Sequence, residues 1–486
     1  MKLNTLFKNA KPIDIDYLMS DSRKLQANSL FFCLKGMKHD GHSHVNQAVE
    51  NGAVAIVHSD ELANYIPFVE YVKVDDVYTA LNKAATIFYD HPSEKMRLFG
   101  VTGTNGKTTI AKVIKHVYSN YLSCGYIGTI GLEYANVVEK PDFTTPEVIQ
   151  LNEILAKMAK FKMKAVAIEI SSQGLEQHRV DALRLKTAVF TNLTHDHLDY
   201  HGTMENYYQA KKKIFGLLNN DGYAVLNIDD PYGLRLKDEL TCKKKTYGIT
   251  TDADYKANNV QFKDDCTQFD LVVQEKTYPV VTSLLGMFNV HNLLAVIATC
   301  HLNGMRIPII IENVKQLPQV KGRLQQVKRG QPFRVIVDYA HTPDGFEKVF
   351  DYAKIVTNKE NKIIVVFGAT GLRDTKKRPI LGAVAEKYCT NIILAEEDPR
   401  TENSLGILEQ IASGIKNSRY LIILDRYDAI RQALELANIN DTVMILGKGH
   451  EDFIHRANGK EPWPGDIVVC EEILDRLNDE KEKHHD

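Results

Sequence analysis

The 486-residue chain is long enough for about three domains, and its 44% hydrophobic and 25% charged residues exclude disordered, collagen-like and coiled-coil classes. Sixty Lys and Arg against 62 Asp and Glu give a formal net charge of -2, which argues against a chain built to coat nucleic acid or an anionic membrane. No stretch approaches the roughly 18 apolar residues of a membrane span, no secretory signal is visible, and seven scattered cysteines favour reduced thiols. We therefore expect a cytoplasmic protein with no nucleic-acid or membrane partner.

The predicted elements begin with a small α/β domain. Short apolar runs (SLFFCLKG, GAVAIVHSD, FVEYVKV) mix with helical stretches over the first ~90 residues, and HisProSer ends this region at residue 93. From residue 94, the buried runs RLFGVTG, AVAIEISS and TAVFTNLT alternate with amphipathic helices, which is typical of a parallel sheet covered by helices. Residues 240–285 are short and β-rich and predict an antiparallel appendage, followed by a helix over HNLLAVIATCHLNG.

The last part of the chain alternates again. Five apolar runs (FRVIVDYA, KIIVVFGAT, NIILAEED, YLIILD and TVMILGKG) are separated by helix-period segments, which predicts a second, doubly wound, Rossmann-like sheet. The predicted fold class is therefore α/β with three domains: a small N-terminal domain (1–93), a central P-loop parallel-sheet domain with its appendage (94–320), and a Rossmann-like C-terminal domain (321–486).

A glycine-rich loop lies between the first strand and first helix of the central domain. In GVTGTNGKTT the glycines allow backbone N–H groups to approach phosphate oxygens, Lys107 can reach the terminal phosphates, and the Thr108 hydroxyl can bind Mg²⁺. Val101 stands where the strict P-loop pattern has glycine, so a βα turn without a nucleotide is the alternative. We predict a nucleoside triphosphate site formed by Gly103, Thr104, Asn105, Gly106, Lys107, Thr108 and Thr109.

Polar residues follow two later strands of this domain. Glu169 ends the apolar run AVAIEI, where an unpaired charge is costly, so we favour a magnesium ligand over a surface glutamate. Ser171, Gln177 and Arg179 come next and suit an acidic substrate. The loop before them, with Thr144 and Thr145, is a weak signal alone.

The segment THDHLDYH places five titratable groups after the strand TAVF. A polar turn with a helix cap accounts for His195 and His201, whereas His197 fits a metal or phosphate contact as well as it fits that turn. Further on, Lys211 lies in a helix beside Lys212 and Lys213, and the residues alone would make all three a solvated face.

These motifs in this order (GTNGKTT, TTPE, EISSQGLEQHR, TNLTHDHLDYHG, YYQAKKKIF) resemble the Mur ligase family of bacterial peptidoglycan synthesis. The resemblance runs from the DSR motif at 21–23 to GKGHED at 447–452 and is strongest to members that add the third residue to UDP-N-acetylmuramoyl-L-alanyl-D-glutamate. The family writes its phosphate loop GTNGK[ST], so Val101 is not an anomaly.

The resemblance implies an ATP-dependent ligase that activates a carboxylate as an acyl phosphate and releases ADP and phosphate. It implies that Ser22 contacts the uridine nucleotide and that Lys107, His197 and Lys211 are catalytic, with Lys211 carbamoylated so that a cation becomes a carboxylate-like group. The remaining implied contacts are, for the UDP-linked dipeptide, Thr144, Thr145, Ser171, Gln177, Arg179 and Lys211; for Mg²⁺, Thr108, Glu169, His197 and Lys211; and for ATP, besides the loop, Asn292, Arg323, Asp338 and His341.

The added amino acid would contact the last domain, through Arg373 in the loop 367–379 and through Asp398, Arg400, Gly447 and Glu451. Diaminopimelate enzymes of the family typically carry D-N-P-R where this chain has Glu397-Asp398-Pro399-Arg400. A guanidinium at Arg400 suits the second carboxylate of meso-diaminopimelate, which we predict as the substrate. L-lysine stays open as the alternative, because Asp398 adds negative charge where that carboxylate would lie.

The sequence leaves two other functions as alternatives. Folylpolyglutamate synthase-like ligases share the phosphate loop, but the DSR motif and the segment SSQGLEQHR argue against them. A non-catalytic nucleotide-binding protein would not need Lys107, Glu169, His197 and Lys211 together. We expect a monomer that uses the UDP-linked dipeptide, ATP and diaminopimelate or lysine.

Overall fold

The N-terminal elements surround a four-stranded sheet. The computed structural model describes residues 1–36, 39–139, 143–263, 266–315 and 317–483, with side chains to residue 480. In chain order the first elements are α1 (Leu3–Leu6), β1 (Tyr17–Met19), β2 (Ser29–Phe32), α2 (Val45–Glu50), β3 (Ala53–His58), β4 (Glu70–Lys73) and α3 (Val77–Phe88). The strands pair in parallel in the order β1-β2-β3-β4.

Both faces of this first sheet are buried. Leu30 and Phe32 belong to the apolar cluster that includes residues of α1 and α3, whereas the alternate residue Phe31 packs with Val45 and Ala48 of α2. Side chains of a strand point to opposite faces with a period of two, so one apolar run supplies both clusters. The predicted small α/β domain is confirmed.

The middle of the chain holds the glycine-rich loop and a mixed sheet. Its elements are β5 (Arg97–Thr102), α4 (Lys107–Ser119), β6 (Cys124–Gly128), β7 (Gly131–Tyr134), β8 (Val137–Glu139), α5 (Val148–Lys160), β9 (Ala165–Glu169), α6 (Ser172–Glu176), β10 (Leu185–Phe190), α7 (Leu198–His201), α8 (Met204–Lys212) and β11 (Leu218–Asn227). Strand β9 pairs in parallel with both β5 and β6 and is buried throughout, as the run AVAIE predicts. The antiparallel ribbon β6-β7-β8 was not predicted.

The chain forms two units that divide this middle region. The first comprises Met1–Thr102, Tyr118–Val189 and Ala210–Ala224, and it holds the strand order β10-β5-β9-β6-β7-β8. The second comprises Gly103–Val117, Phe190–Gln209 and Val225–Asp486. The glycine-rich loop, the THDHLDYH segment and the C-terminal sheet therefore belong to the same unit.

The β-rich appendage lies in the second unit, among α9 (Pro231–Glu239), β12 (Lys244–Gly248), β13 (Tyr255–Phe262), β14 (Thr267–Val273), β15 (Lys276–Thr282), α10 (Met287–Leu302) and α11 (Ile307–Val314). Strands β13, β14 and β15 are antiparallel as predicted. Strand β12 instead pairs with β13 in parallel, so the antiparallel prediction does not hold for β12. The loop of residues 249–254 carries the chain back, so that β13 runs in the same direction as β12. Helix α10 begins four residues before the predicted start at His291.

The C-terminal elements are β16 (Gln325–Val327), β17 (Arg334–Asp338), α12 (Pro343–Val356), β18 (Ile363–Phe367), α13 (Lys377–Tyr388), β19 (Asn391–Leu394), α14 (Ser404–Ala412), β20 (Tyr420–Ile422), α15 (Arg426–Leu436), β21 (Thr442–Leu446), β22 (Phe453–Arg456), β23 (Gly459–Pro462) and α16 (Asp466–Lys483). The sheet order is β16-β17-β21-β18-β19-β20, parallel except for β16. In the described part of the chain, no helix is both long and apolar enough to cross a bilayer.

Helices cover both faces of this last sheet. Val365 and Phe367 of β18 pack with residues of α12, α13 and α14, whereas Ile364 and Val366 pack with residues of α15 and α16. The doubly wound prediction is confirmed. Because β21 lies between β17 and β18, the strand order reverses there, and the carboxyl edge at such a switch point is where open α/β sheets bind ligands.

Candidate functional site

The glycine-rich loop requires glycine at two positions. Gly103 and Gly106 have φ of +148° and +90°. A Cβ atom at Gly103 would lie 1.8 Å from Thr191 Oγ1, and one at Gly106 would lie 2.6 Å from Asn292 Oδ1. The loop therefore runs so close to its neighbours that any side chain would collide with them.

The loop is held by hydrogen bonds from the segment after β10. The Thr104 N–H donates to the Asn192 carbonyl at 2.8 Å, and the Asn105 N–H donates to Asn192 Oδ1 at 3.0 Å. Lys107 Nζ donates to the carbonyls of Gly103 and Thr104, both at 2.9 Å. The predicted residues Thr108 and Thr109 are buried in the first turn of α4, whose N-terminal N–H groups suit an anion.

Two of the more distant residues implied for ATP lie against this loop. Asn292 contacts Gly106, as the Cβ position shows, and Arg323 Nη2 donates to Thr108 Oγ1 at 3.3 Å. The Arg323 guanidinium also stacks on the Tyr339 ring at 4.7 Å. The glycine-rich loop, helix α10 and the residues next to the C-terminal sheet therefore lie close together within the second unit.

Asp338 is the last residue of strand β17, and His341 lies in the loop that follows it. Asp338 accepts the N–H groups of Leu324 and Ala340, both at 2.7 Å, and burial raises its pKa although Arg323 opposes the shift. His341 Nδ1 lies 3.0 Å from the Tyr339 carbonyl, and burial together with Lys377 lowers its pKa to about 4. A neutral His341 ring then carries its proton on Nδ1.

A cavity of about 250 Å³ lies at the carboxyl edge of the C-terminal sheet, at the switch point. Its lining comes from the THDHLDYH segment, from loops after β17, β18, β19 and β21, from the start of α13 and from the strands β22 and β23. The lining residues are Asp196, His197, Asp199, Tyr339, His341, Thr370, Arg373, Asp374, Lys377, Glu397, Asp398, Arg400, Gly447, Glu451, Phe453, His455 and Lys460. The structure therefore brings together all five residues predicted for the amino acid, along with His197 and His341.

Positive charge in the cavity comes first from two guanidinium groups. Arg400 has φ of +56°, its N–H donates to the His455 carbonyl at 2.8 Å, and its Nε has no hydrogen-bond partner among the described residues. Burial lowers the pKa of Arg400, and Arg373 lowers it further. The Arg373 Nη1 atom lies 3.9 Å from Asp199 Oδ2. Both side chains are placed to receive an anion.

Behind the acidic side of the cavity lies a lysine that was not predicted as a site residue. Lys448 Nζ donates to Asp398 Oδ1 at 2.7 Å and to Glu451 Oε2 at 2.6 Å, and Lys448 is fully buried. The charge of Asp398 is thus paired within the protein. The signal lay in GKGHED, next to the predicted Gly447. Glu397 and Lys377 are buried residues of the cavity that were not predicted either.

The THDHLDYH segment separates its five titratable groups. His195 Nε2 lies 2.8 Å from Asp374 Oδ2, and His201 is buried with its ring stacked 4.9 Å from that of Tyr207. His197 has φ of +53° and a 40% exposed side chain, with Nε2 3.4 Å from Asp196 Oδ2. Burial opposes ionisation of Asp196, but the Coulomb influence of neighbouring basic groups, His197 first, holds its pKa well below the usual range.

Glu169 ends strand β9 in the first unit and is fully buried. Its carboxylate accepts hydrogen bonds from Tyr126 Oη at 2.5 Å, from Thr129 N at 3.0 Å and from Thr129 Oγ1 at 3.1 Å. A Cβ atom at Gly128 would lie 2.2 Å from Glu169 Oε1. The cost of burying this charge, which the sequence analysis anticipated, is offset by these donors.

Five of the six residues implied for the dipeptide, all except Lys211, form a cluster beside Glu169. Thr145 Oγ1 donates to the Glu169 carbonyl at 3.0 Å and lies 3.1 Å from Ser171 Oγ, and Thr144 Oγ1 lies 3.1 Å from Thr129 Oγ1. Arg179 Nη1 donates to the Thr145 carbonyl at 3.0 Å, and Arg179 Nη2 donates to Gln177 Oε1 at 2.5 Å. The weak signal TTPE and the segment SSQGLEQHR therefore form one polar cluster. Ser22 lies in the N-terminal part, where its hydroxyl donates to Gln47 at 2.7 Å.

Lys211 is buried near the end of α8 and only 1% exposed, whereas Lys212 is half-buried and Lys213 is exposed and paired with Glu176. A solvated face, which the residues alone suggested for all three lysines, is wrong for Lys211. Successive helix residues point in different directions, so only one of three adjacent lysines need face the interior.

The three sheets and their motifs are matched by three family models: the Mur ligase family catalytic domain at residues 14–89, the Mur ligase middle domain at 101–300, and the Mur ligase glutamate ligase domain at 322–449. The chain belongs to the Mur ligase family, whose members use ATP, and the resemblance inferred from the motifs is confirmed. Its fold is the three-domain α/β fold of that family.

Individual relatives narrow the comparison. The UDP-N-acetylmuramoyl-L-alanyl-D-glutamate--2,6-diaminopimelate ligase of Halalkalibacterium halodurans is 39% identical over 467 residues, covering 95% of each chain. The corresponding ligase 1 of Clostridium acetobutylicum is 38% identical over 444 residues, covering 91% of each. A solved structure of a UDP-N-acetylmuramoyl-L-alanyl-D-glutamate--2,6-diaminopimelate ligase matches with a TM-score of 0.68 at 30% identity, covering 98% of this chain and 99% of that one.

Proposed function

We propose that this chain joins meso-2,6-diaminopimelate to the D-glutamyl carboxylate of UDP-N-acetylmuramoyl-L-alanyl-D-glutamate, with hydrolysis of ATP to ADP and phosphate, in cytoplasmic peptidoglycan precursor synthesis. The observation that carries the proposal is a single cavity lined both by Arg373 and Arg400 and by the carboxylates of Asp398 and Glu451, which share a hydrogen-bonded lysine. The relatives at 38–39% identity are named for the same reaction.

Charge complementarity favours diaminopimelate over L-lysine. Both amino acids offer a side-chain ammonium, but only diaminopimelate offers a second carboxylate. Two guanidinium groups at the cavity suit that carboxylate, whereas the side chain of L-lysine offers them no anion. The objection from Asp398 loses its force, because Lys448 lies 2.7 Å from it and offsets its charge.

The reaction chemistry assigns the phosphate loop to ATP. The D-glutamyl carboxylate attacks the γ-phosphorus, and the bond from that phosphorus to the β,γ-bridging oxygen breaks. The products of this step are ADP and an acyl phosphate. The amine of the amino acid then attacks the activated carbonyl, and the tetrahedral intermediate expels inorganic phosphate. Lys107 and the N–H groups of residues 103–108 would neutralise charge on the transferring phosphoryl group, with Asn292, Arg323, Asp338 and His341 as further contacts of the nucleotide.

The polar cluster beside Glu169 supports binding of the UDP-linked dipeptide. Its hydroxyl, amide and guanidinium groups (Thr144, Thr145, Ser171, Gln177 and Arg179) match the carboxylates and amides of a dipeptide. Ser22, in the N-terminal part, would contact the uridine nucleotide. We propose the domain boundaries 1–93, 94–320 and 321–486, which the extents of the three family models support, and a monomeric chain.

Magnesium fits the donors that this chain offers. The Glu169 carboxylate, the Thr108 hydroxyl and the His197 imidazole are oxygen and nitrogen ligands, and a carbamate on Lys211 would add further oxygens. The ions would supply Lewis-acid stabilisation of the phosphates. Lys211 is buried. A buried position suits a carbamate, because the negative charge of the carbamate would be offset by the magnesium ions beside it.

Carbamoylation can be tested directly. The protein is incubated with ¹³C-bicarbonate and examined by ¹³C NMR, and we expect a carbamate signal that is lost in Lys211→Ala and kept in Lys212→Ala. Absence of the signal in the unaltered chain would remove the carbamate from the proposal.

The function is tested by supplying the UDP-linked dipeptide and ATP with meso-diaminopimelate or L-lysine, and by measuring ADP release and product mass. We expect amino-acid-dependent ADP release with predominant use of diaminopimelate. Arg400→Ala should raise the KM for diaminopimelate at least tenfold, whereas Arg419→Ala on an exposed surface should not. Predominant use of lysine would overturn the specificity, and ATP turnover that needs neither substrate would overturn the ligase assignment.

A further inference from the structure

Lys448 is a buried cation that the reaction described above does not use. It follows Gly447 at the end of β21 and has no exposed surface, while its ammonium lies 4.6 Å above the Phe453 ring. Its two hydrogen bonds go to Asp398 and Glu451, which lie on different loops of the C-terminal sheet. A single ammonium therefore ties together the two carboxylates of the amino-acid cavity.

The two carboxylates are fixed in orientation by this contact and by one further donor each. Asp398 Oδ1 also accepts the His455 N–H at 2.8 Å, and Glu451 Oε1 accepts Tyr339 Oη at 3.3 Å. Both residues line the cavity, whereas Lys448 lies behind them. Lys448 thus approaches the carboxylates from the protein side and leaves the cavity side to a ligand.

The charges at this side of the cavity can be counted. Two carboxylates and one ammonium leave a single negative charge, which matches the one side-chain ammonium that diaminopimelate and lysine share, without a further negative charge to repel the second carboxylate of diaminopimelate. Without Lys448 the same place would hold two adjacent carboxylates, which favours a second cation or uptake of a proton. Burial already raises the pKa of Glu451, and Lys448 opposes that shift.

We propose that Lys448 is a positioning residue that sets the charge and orientation of the acidic side of the amino-acid pocket, and thereby its preference for diaminopimelate over lysine. This proposal rests on the proposed function. Lys448 acts through Asp398 and Glu451.

The test is a set of charge variants assayed for KM and kcat with each amino acid. Lys448→Met keeps the side-chain length and removes the charge, so we expect the KM for diaminopimelate to rise at least tenfold, with kcat changing less, and the kcat/KM ratio of diaminopimelate to lysine to fall at least tenfold. Lys387→Met removes an exposed lysine that lies over the Tyr388 ring, and serves as the matched control.

The double variant separates charge from packing. Asp398→Asn alone leaves Lys448 and Glu451 with no net charge and should raise the KM for diaminopimelate. Adding Lys448→Met to it restores one negative charge and should lower that KM again. A double variant that binds diaminopimelate worse than Asp398→Asn, or fails to fold, overturns the proposal, as does an unchanged preference in Lys448→Met. If the unaltered chain adds no amino acid, the proposed function fails instead.

Discussion

Two buried charges of this protein, those of Glu169 and Lys448, are matched with donors or counter-charges. Glu169 accepts hydrogen bonds from Tyr126 and Thr129, and Lys448 donates to two carboxylates. The desolvation of an ion is repaid only when its remaining lone pairs or protons are satisfied. Such residues are consequently sensitive to substitutions that keep the shape and change the hydrogen-bonding groups.

At Glu169, replacement by Gln should reduce both activity and stability. The side-chain amide introduced by Glu169→Gln would have to direct an N–H group toward Tyr126 or Thr129, which are themselves donors. The loss of that hydrogen bond should lower the free energy of unfolding by about 1–3 kcal/mol. Loss of the anionic ligand should lower kcat by about 100-fold and raise the magnesium concentration needed for half-maximal rate. The measurements are urea denaturation and amino-acid-dependent ADP release over a magnesium series.

Glu153→Gln is the matched control for that experiment, because Glu153 lies on α5 in an exposed ion pair with Lys157. We expect it to behave as the unaltered chain. A Glu169→Gln variant with the same magnesium requirement as Glu153→Gln would argue against metal binding at this position.

At the scale of elements, the turn from β5 to α4 depends on backbone conformations that only glycine adopts without strain. Gly103→Ala would place a Cβ atom 1.8 Å from Thr191 Oγ1 at φ of +148°. We expect at least a tenfold weaker affinity for ATP and a loss of about 1–3 kcal/mol in stability. Isothermal titration with a non-hydrolysable ATP analogue measures the affinity.

Gly216→Ala provides the comparison, since a Cβ atom there meets nothing within 4 Å. This variant should bind the analogue as the unaltered chain does. Equal affinities of the two alanine variants would contradict the part assigned to the loop.

The last two helices are joined by a buried ion pair. Arg426, the first residue of α15, donates to Asp466, the first residue of α16, at 2.7 and 2.8 Å, and neither side chain is exposed. Arg426→Met should cost about 3–5 kcal/mol because it leaves the Asp466 carboxylate buried without its counter-charge. Arg476→Ala, which removes an exposed i, i+4 pair with Glu472, should cost less than about 0.5 kcal/mol. Chemical denaturation measures the free energy of unfolding of both variants. Equal losses in the two variants would show that burial of the Arg426–Asp466 pair does not make it the more important one.

For the whole molecule, the half-buried His341, which is neutral in the folded chain, predicts part of the pH dependence of stability. The pKa of His341 falls from 6.5 to about 4 in the folded chain, so between these values the unfolded chain binds more protons. Stability should therefore decrease as the pH falls from 6.5 to 4. The prediction is a smaller loss in His341→Asn, whose amide can still donate to the Tyr339 carbonyl.

Thermal denaturation at several pH values measures this effect. Other histidines titrate in both proteins, so only the difference between the unaltered chain and His341→Asn reports on His341. Parallel curves for the two proteins between pH 6.5 and 4 would show that His341 takes no part.

The sequence by itself determined the kinds of elements and the motifs. Apolar runs of five or so residues, repeated between amphipathic helices, sufficed for three α/β sheets, because burial on both faces of a parallel strand requires such runs. The ribbon β6-β7-β8 and the parallel pairing of β12 escaped prediction, since short strands carry no mark of the partner they will join. The glycine-rich loop was visible because its chemistry lies in consecutive residues.

Only the tertiary structure decided which side chains share a site. Asp398 and Glu451 are 53 positions apart, yet Lys448 contacts both. Because Lys448 offsets the negative charge of Asp398, that charge no longer argues against diaminopimelate as the substrate. Lys211 likewise looked like its neighbours until its burial was known. Local sequence specifies helices, strands and turns through short-range preferences, whereas desolvation and Coulomb interactions depend on distances that arise only when distant loops meet at the edge of a sheet.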